Sequence, residues 1–160
     1  MAKARDVQLR CEEPFGAAAA EVVKVRADEL LEHSQGVLDV TDIERVHDMR
    51  VASRRLRAAM EVFEPCFPRK RFKAALNEVK EIADALGERR DRDVSIAALV
   101  DFGARLTAPD RRGVLVLIDR LRAEQALAND RLAPFVERRR LLDLRERIEE
   151  LTAAADRSAV

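Results

Sequence analysis

The sequence predicts an all-α fold, an antiparallel bundle of five to six helices, on three observations. The 160 residues are rich in Ala, Leu, Glu and Arg and hold only five Gly and five Pro, a composition that favours helix. Apolar residues recur at helical spacing, as in Phe72, Leu76, Val79, Ala83 and Leu86, which fall four, three, four and three apart. Pro and Gly punctuate the chain and leave connectors of two to eight residues, which suit antiparallel neighbours in a bundle. With 48% hydrophobic and 38% charged residues, the chain is too apolar to be disordered and too charged to be a membrane protein.

Residues 1–13 read as a polar lead-in, residues 14–155 as the helical domain and residues 156–160 as a frayed tail. A first helix is predicted from Pro14, whose ring suits a first turn, to about His33, with Gly36 as the stop signal. The second has the best start signal: Thr41-Asp42-Ile43-Glu44 fits a capping box, and the helix runs to Glu64 before Pro65. Arg69 to Leu86 forms a third, closed at Gly87 by a left-handed cap, and a fourth covers roughly Arg90 to Leu106. A fifth covers Pro109 to Leu132; its run Val114–Ile118 also fits a buried strand, but a lone strand has no partner, so helix is preferred. Pro134 breaks the chain before a last helix from about Phe135 to Ala154.

Cys11 and Cys66 are too few for a disulfide framework and read as small packing residues. The N-terminus lacks an apolar core, and no run is long enough to span a bilayer, so the expected compartment is the cytoplasm. Thirty basic residues balance thirty acidic ones, which argues against a general nucleic-acid coat. The absence of Trp and Tyr argues against base stacking, and no specific nucleic-acid partner is expected. Neither a P-loop, nor an acidic metal cluster, nor a nucleophile–base pair is evident, so neither enzyme activity nor a cofactor or metal is expected.

Charge is unevenly placed. Twenty-five of the thirty basic residues are Arg, which grips carboxylate and phosphate in a planar fork. Between Arg45 and Lys73, nine basic residues meet three acidic ones, a local charge of +6 that suggests an anionic partner. Helical periodicity puts Met49, Ala52, Leu56, Ala59, Met60 and Phe63 on one side of the second helix. It puts His47, Arg50, Arg54 and Arg57 together on the other, with Arg55 toward a flank. Like charges at these spacings repel by a few tenths of a kcal/mol per pair, so an uncompensated row suggests a ligand. Lys73, Asn77 and Lys80 line up on the third helix, and Arg90 stands in a cluster, Arg89-Arg90-Asp91-Arg92-Asp93. Asp91 and Asp93 could cap a helix there or orient Arg50, Arg54 or Arg57. The bland alternative for all of these is a solvated face, or a helical interaction module docked on an acidic protein surface.

The stretches VHDMRVASRRLRAAMEVF at 46–63 and ALGERRDRDVSIAAL at 85–99 resemble the CHAD domain, the conserved histidine α-helical domain. The family pattern, His-x-x-Arg-x-x-x-Arg-Arg-Leu-Arg followed by Leu-Gly-x-x-Arg-Asp-x-Asp-Val, matches both blocks in order, and the resemblance covers about Ala17 to Leu106. It implies a helical bundle, typically bacterial or archaeal, that binds inorganic polyphosphate through a basic groove and can associate with polyphosphate granules. On both readings together, His47, Arg50, Arg54 and Arg57 are expected to form the binding row, with Arg55, Lys73, Lys80 and Arg90 as flanking contacts; Lys73 and Lys80 come from the spacing on the third helix, not from the family pattern. Family members usually hold two related helical halves, but no histidine follows His47 here. The chain therefore resembles a half-length member, and a homodimer with basic faces lining a shared groove is expected to replace the missing half.

Overall fold

The computed structural model describes residues 3–155. Five helices follow one another: α1 (Phe15–Glu32), α2 (Ile43–Val62), α3 (Arg69–Ala104), α4 (Ala108–Leu132) and α5 (Arg138–Ala153). Short 3-10 turns at Glu64–Cys66 and Ala133–Phe135 hold Pro65 and Pro134, so both prolines act where expected. The all-α class is as predicted, with no strand among the described residues.

Helices α1, α2, α5 and the first half of α3 close a four-helix ring, in which α2 lies between α1 and α3, and α5 touches α1 and α3. The ring encloses one core, in which Val23, Leu30, Met49, Leu56, Met60, Phe72, Val79, Ile82, Leu144 and Ile148 are essentially inaccessible. The apolar side predicted for α2 is therefore its core side. Cys66 is buried in this core, whereas Cys11 is exposed on the lead-in and is not a packing residue.

The last helix begins at Arg138 rather than at Phe135, which belongs to the 3-10 turn with Pro134, and a larger difference lies in α3. The third and fourth predicted helices are one 36-residue helix, α3, about 54 Å long at 1.5 Å per residue. Gly87 does not end it, because among the described residues the only backbone with positive φ is Gly36, at 71°. A helix-interior Gly costs about 1 kcal/mol, and packing on both sides of residues 86–93 outweighs that. Leu86 points into the core, Arg90 bonds α2, and Arg89 and Asp93 face α4. Gly36 does mark the stop after α1; a side chain there would also strike Arg45, whose Nη1 would lie 2.8 Å from the new Cβ.

The capping box at α2 does not form. Asp42 is the N-cap residue and makes no side-chain cap bond. Thr41 instead donates its hydroxyl (2.7 Å) and amide (2.9 Å) to Asp39, which holds the Asp39 carboxyl below its ordinary value. Glu44 turns toward Arg90. Among its described residues, 3–13, the lead-in has no helix but is tied to α1: the Arg5 amide donates to Glu29 (2.5 Å), Arg26 donates to the Arg5 carbonyl (3.0 Å), and Arg5 pairs with Glu32. The predicted tail, residues 156–160, lies outside the described residues.

The second half of α3 leaves the ring and runs antiparallel to α4. A buried polar seam joins them at the base. Arg89 and Asp93 are inaccessible and paired at 3.1 Å; Arg89 also donates to Asn129 (2.7 Å), and Gln125 donates to Asp93 (2.5 Å). The Asn129 amide continues the seam to the Leu38 carbonyl at 3.0 Å. The run Val114–Ile118 is helical, but only Ile118 in it is buried.

Candidate functional site

The basic row of α2 lies beside α3 on the outer side of the ring. Three contacts between the helices fix that register. Arg90 donates to the Ile43 carbonyl at 2.9 Å, Arg50 passes over Gly87, and Glu61 binds both Arg57 (3.0 Å) and Lys80 (3.6 Å). A Cβ on Gly87 would lie 4.0 Å from the Arg50 Nε, so the small residue gives the guanidinium a floor on α3.

Along α2 the row spans His47 to Arg57, about 15 Å of helix axis. His47 and Arg50 are half-buried and Arg54 is exposed. Among the described residues, none of these three side chains has a hydrogen bond or ion pair. Lys73, on the first turns of α3, is exposed and equally without a counter-ion. Arg69, Lys70 and Arg71 add exposed positive charge at the foot of the same helix. The site therefore holds several cations whose charge is not cancelled locally.

The other predicted residues divide differently. Arg57 and Lys80 share Glu61. Arg90 is mostly covered and ties α3 to the start of α2. Arg55 is half-buried and is not one of the vacant cations. Asp93 does not orient the row, since it is buried against Arg89 on the α4 side, and Asp91 cannot cap a helix in the middle of α3. Asp84 and Asp91 are exposed on the same α3 stripe as Lys80 and Gly87, which confines the positive field to α2 and the first turns of α3. Neither Asp84 nor the cross-helix role of Glu61 emerged from the periodicity of α2 alone.

Glu61 is a built-in counter-ion. The hydrogen bond from Arg57, aided by the charges of Arg57 and Lys80, holds its carboxyl below the ordinary value, against a smaller opposing effect of burial. The pair is present above the ordinary carboxylate range and dissolves as pH falls through the depressed value. We expect Glu61→Gln to tighten polyanion binding about three- to tenfold at low salt by freeing both cations, measured by calorimetric titration. Unchanged affinity would mean that Arg57 and Lys80 lie outside the binding surface.

Among the described residues, no group of His, Cys, Asp or Glu could hold a metal ion, and no helix is long and apolar enough to cross a membrane. The family model for the CHAD domain matches residues 21–159, so the chain belongs to the CHAD family. That match takes in nearly the whole chain rather than half of it, and includes α4 and α5, which the two sequence motifs did not reach. No curated protein and no solved structure gave a match.

Proposed function

We propose that this CHAD domain is a non-catalytic module that captures inorganic polyphosphate along the α2–α3 face. The observation that carries the reading is the vacancy of His47, Arg50 and Arg54, which share one face and have no counter-ion among the described residues. An ordinary solvated helix face of this kind would alternate sign, as the ion-paired surface elsewhere does: Arg105 with Asp101, Arg122 with Asp119, Arg145 with Glu149.

A row of guanidinium forks suits a repeating anion that has no sequence to read. Arg50 and Arg54 would grip successive phosphates, and His47 would donate a hydrogen bond at one end of the row. Lys73 and Lys80 would flank the chain from α3, while Arg55 and Arg90 would support the face from its edges. The work is expected in the cytoplasm, at polyphosphate granules. Titration with polyphosphates of increasing length tests this directly. Affinity rises with chain length, because one polymer meets several cations at once, and orthophosphate binds weakly. Equal affinity for orthophosphate and long polyphosphate would overturn the proposal.

A further inference from the structure

Side chains free to meet an anion stand in two groups on the α2–α3 face. On α2, His47, Arg50 and Arg54 cover about 10 Å of helix axis. On α3, Arg69, Lys73 and Lys80 share one stripe by helical periodicity. Arg69 and Lys73 are exposed and have no ion pair among the described residues. Asp84 and Asp91 come next on that stripe, so its positive part stops at Lys80. Arg50 lies over Gly87 and Glu61 reaches Lys80, so the end of α2 lies toward the start of α3. The two groups therefore follow one another down the face, and Arg69 lies about 27 Å of axis from Gly87, the level of Arg50. Between the groups stands Glu61, which binds Arg57 at 3.0 Å and Lys80 at 3.6 Å, the two cations that would join them. Glu64, exposed on the next turn, adds a second carboxylate there.

We propose that Glu61 is a displaceable latch that makes the reach of the site depend on chain length. A short polyphosphate occupies the α2 group alone. A long one displaces Glu61 from Arg57 and Lys80 and continues along α3 to Lys73 and Arg69. This rests on the reading of the α2–α3 face as a polyphosphate site. The latch opens at small cost, because the side chains of Glu61, Arg57 and Lys80 are 37–44% exposed and exposed pairs of this kind contribute little. A polymer already held on α2 brings its next phosphates to Arg57 and Lys80 at high effective concentration, and both cations exchange one anionic partner for another. A short anion has no such tether. Arg54 and Glu61 are seven residues apart, about 10 Å of axis, so at about 0.1 M salt the Glu61 charge is largely screened from the α2 group.

Titration of the full chain with inorganic triphosphate and with long-chain polyphosphate, at about 0.1 M salt, tests the crossing. Calorimetry reads the long chain, and NMR shift titration reads the weaker triphosphate. Glu61→Gln tightens long-chain binding about threefold and changes triphosphate affinity less than about twofold. The double variant Arg69→Ala/Lys73→Ala weakens long-chain binding about tenfold and also leaves triphosphate within about twofold. All three side chains are exposed, and circular dichroism checks that helical content is unchanged. An equal change for both ligands in either variant, or no change for the long chain in either, would overturn the crossing and leave capture on α2 intact. So would triphosphate that does not bind a wild type able to hold the long chain. Wild-type protein that holds neither ligand would overturn the polyphosphate reading itself, and the crossing with it.

Discussion

Replacing Arg50, Arg54 and Arg57 together with Ala lowers polyphosphate affinity at least about 100-fold and leaves helical content unchanged. A hydrogen bond to a charged group contributes about 1.5–3 kcal/mol, and three such contacts are removed. Even if screening leaves only about 1 kcal/mol for each, the loss is two orders of magnitude. The fold should not suffer. Ala is the best helix former, the like-charge repulsion along the row disappears, and the one ion pair lost, Arg57 with Glu61, is exposed and worth little. Calorimetric titration and circular dichroism read the two quantities separately. A matched variant that removes the exposed Arg112, Arg138 and Arg139 takes away the same charge at other places and should cost far less affinity. Equal losses in the two triple variants would show that net charge binds the anion and that the α2 row has no special part.

The largest stability effect is expected at the seam between α3 and α4. Arg89→Ala destabilises the protein by about 3–5 kcal/mol in urea unfolding, because it leaves Asp93 buried without its counter-charge. Asn129 loses a partner in the same step, and only the Gln125 amide still bonds the Asp93 carboxylate. The pair is not itself a large source of stability, since desolvation offsets much of its attraction. Replacing Arg89 and Asp93 together with Met and Leu should therefore be much milder than removing Arg89 alone. Its role is registry: a polar seam fixes which turn of α4 meets which turn of α3. A loss below about 1 kcal/mol for Arg89→Ala would show that the seam is hydrated in solution.

Much of this was legible along the chain, because the signals were periodic. The α2 row follows from positions 47, 50, 54 and 57 alone, and the apolar positions of the same helix are the ones buried against the ring. Pro65, Pro134 and Gly36 lie at breaks between helices. Gly87 misled because local propensity stops a helix there, whereas tertiary contacts from α2 and α4 hold it together. The cluster at residues 89–93 looked like a helix start rich in anion-binding groups. It is instead divided by α3 itself: Arg90 faces α2, and Arg89 and Asp93 face α4. Thr41 lost its capping role to Asp39, two residues away, and that competition between local hydrogen bonds is invisible to a four-residue pattern. Glu61 lies one turn beyond Arg57 in the sequence, but its reach across to Lys80 depends on the register of two helices. No periodicity within one segment contains that register.

On the proposed reading, cations held vacant on α2 take up a polyanion by charge. A salt series of long-chain polyphosphate binding, run with RNA as competitor on protein of known oligomeric state, measures it most directly. By analogy with single-stranded nucleic acid, log affinity falls linearly with log salt, and each engaged cation adds about 0.7 to the slope. The expected result is a steep slope for the wild type, a slope shallower by about 2 for the Arg50/Arg54/Arg57 variant, and polyphosphate retained in the presence of RNA. A flat salt dependence, or the same slope in both proteins, would contradict it.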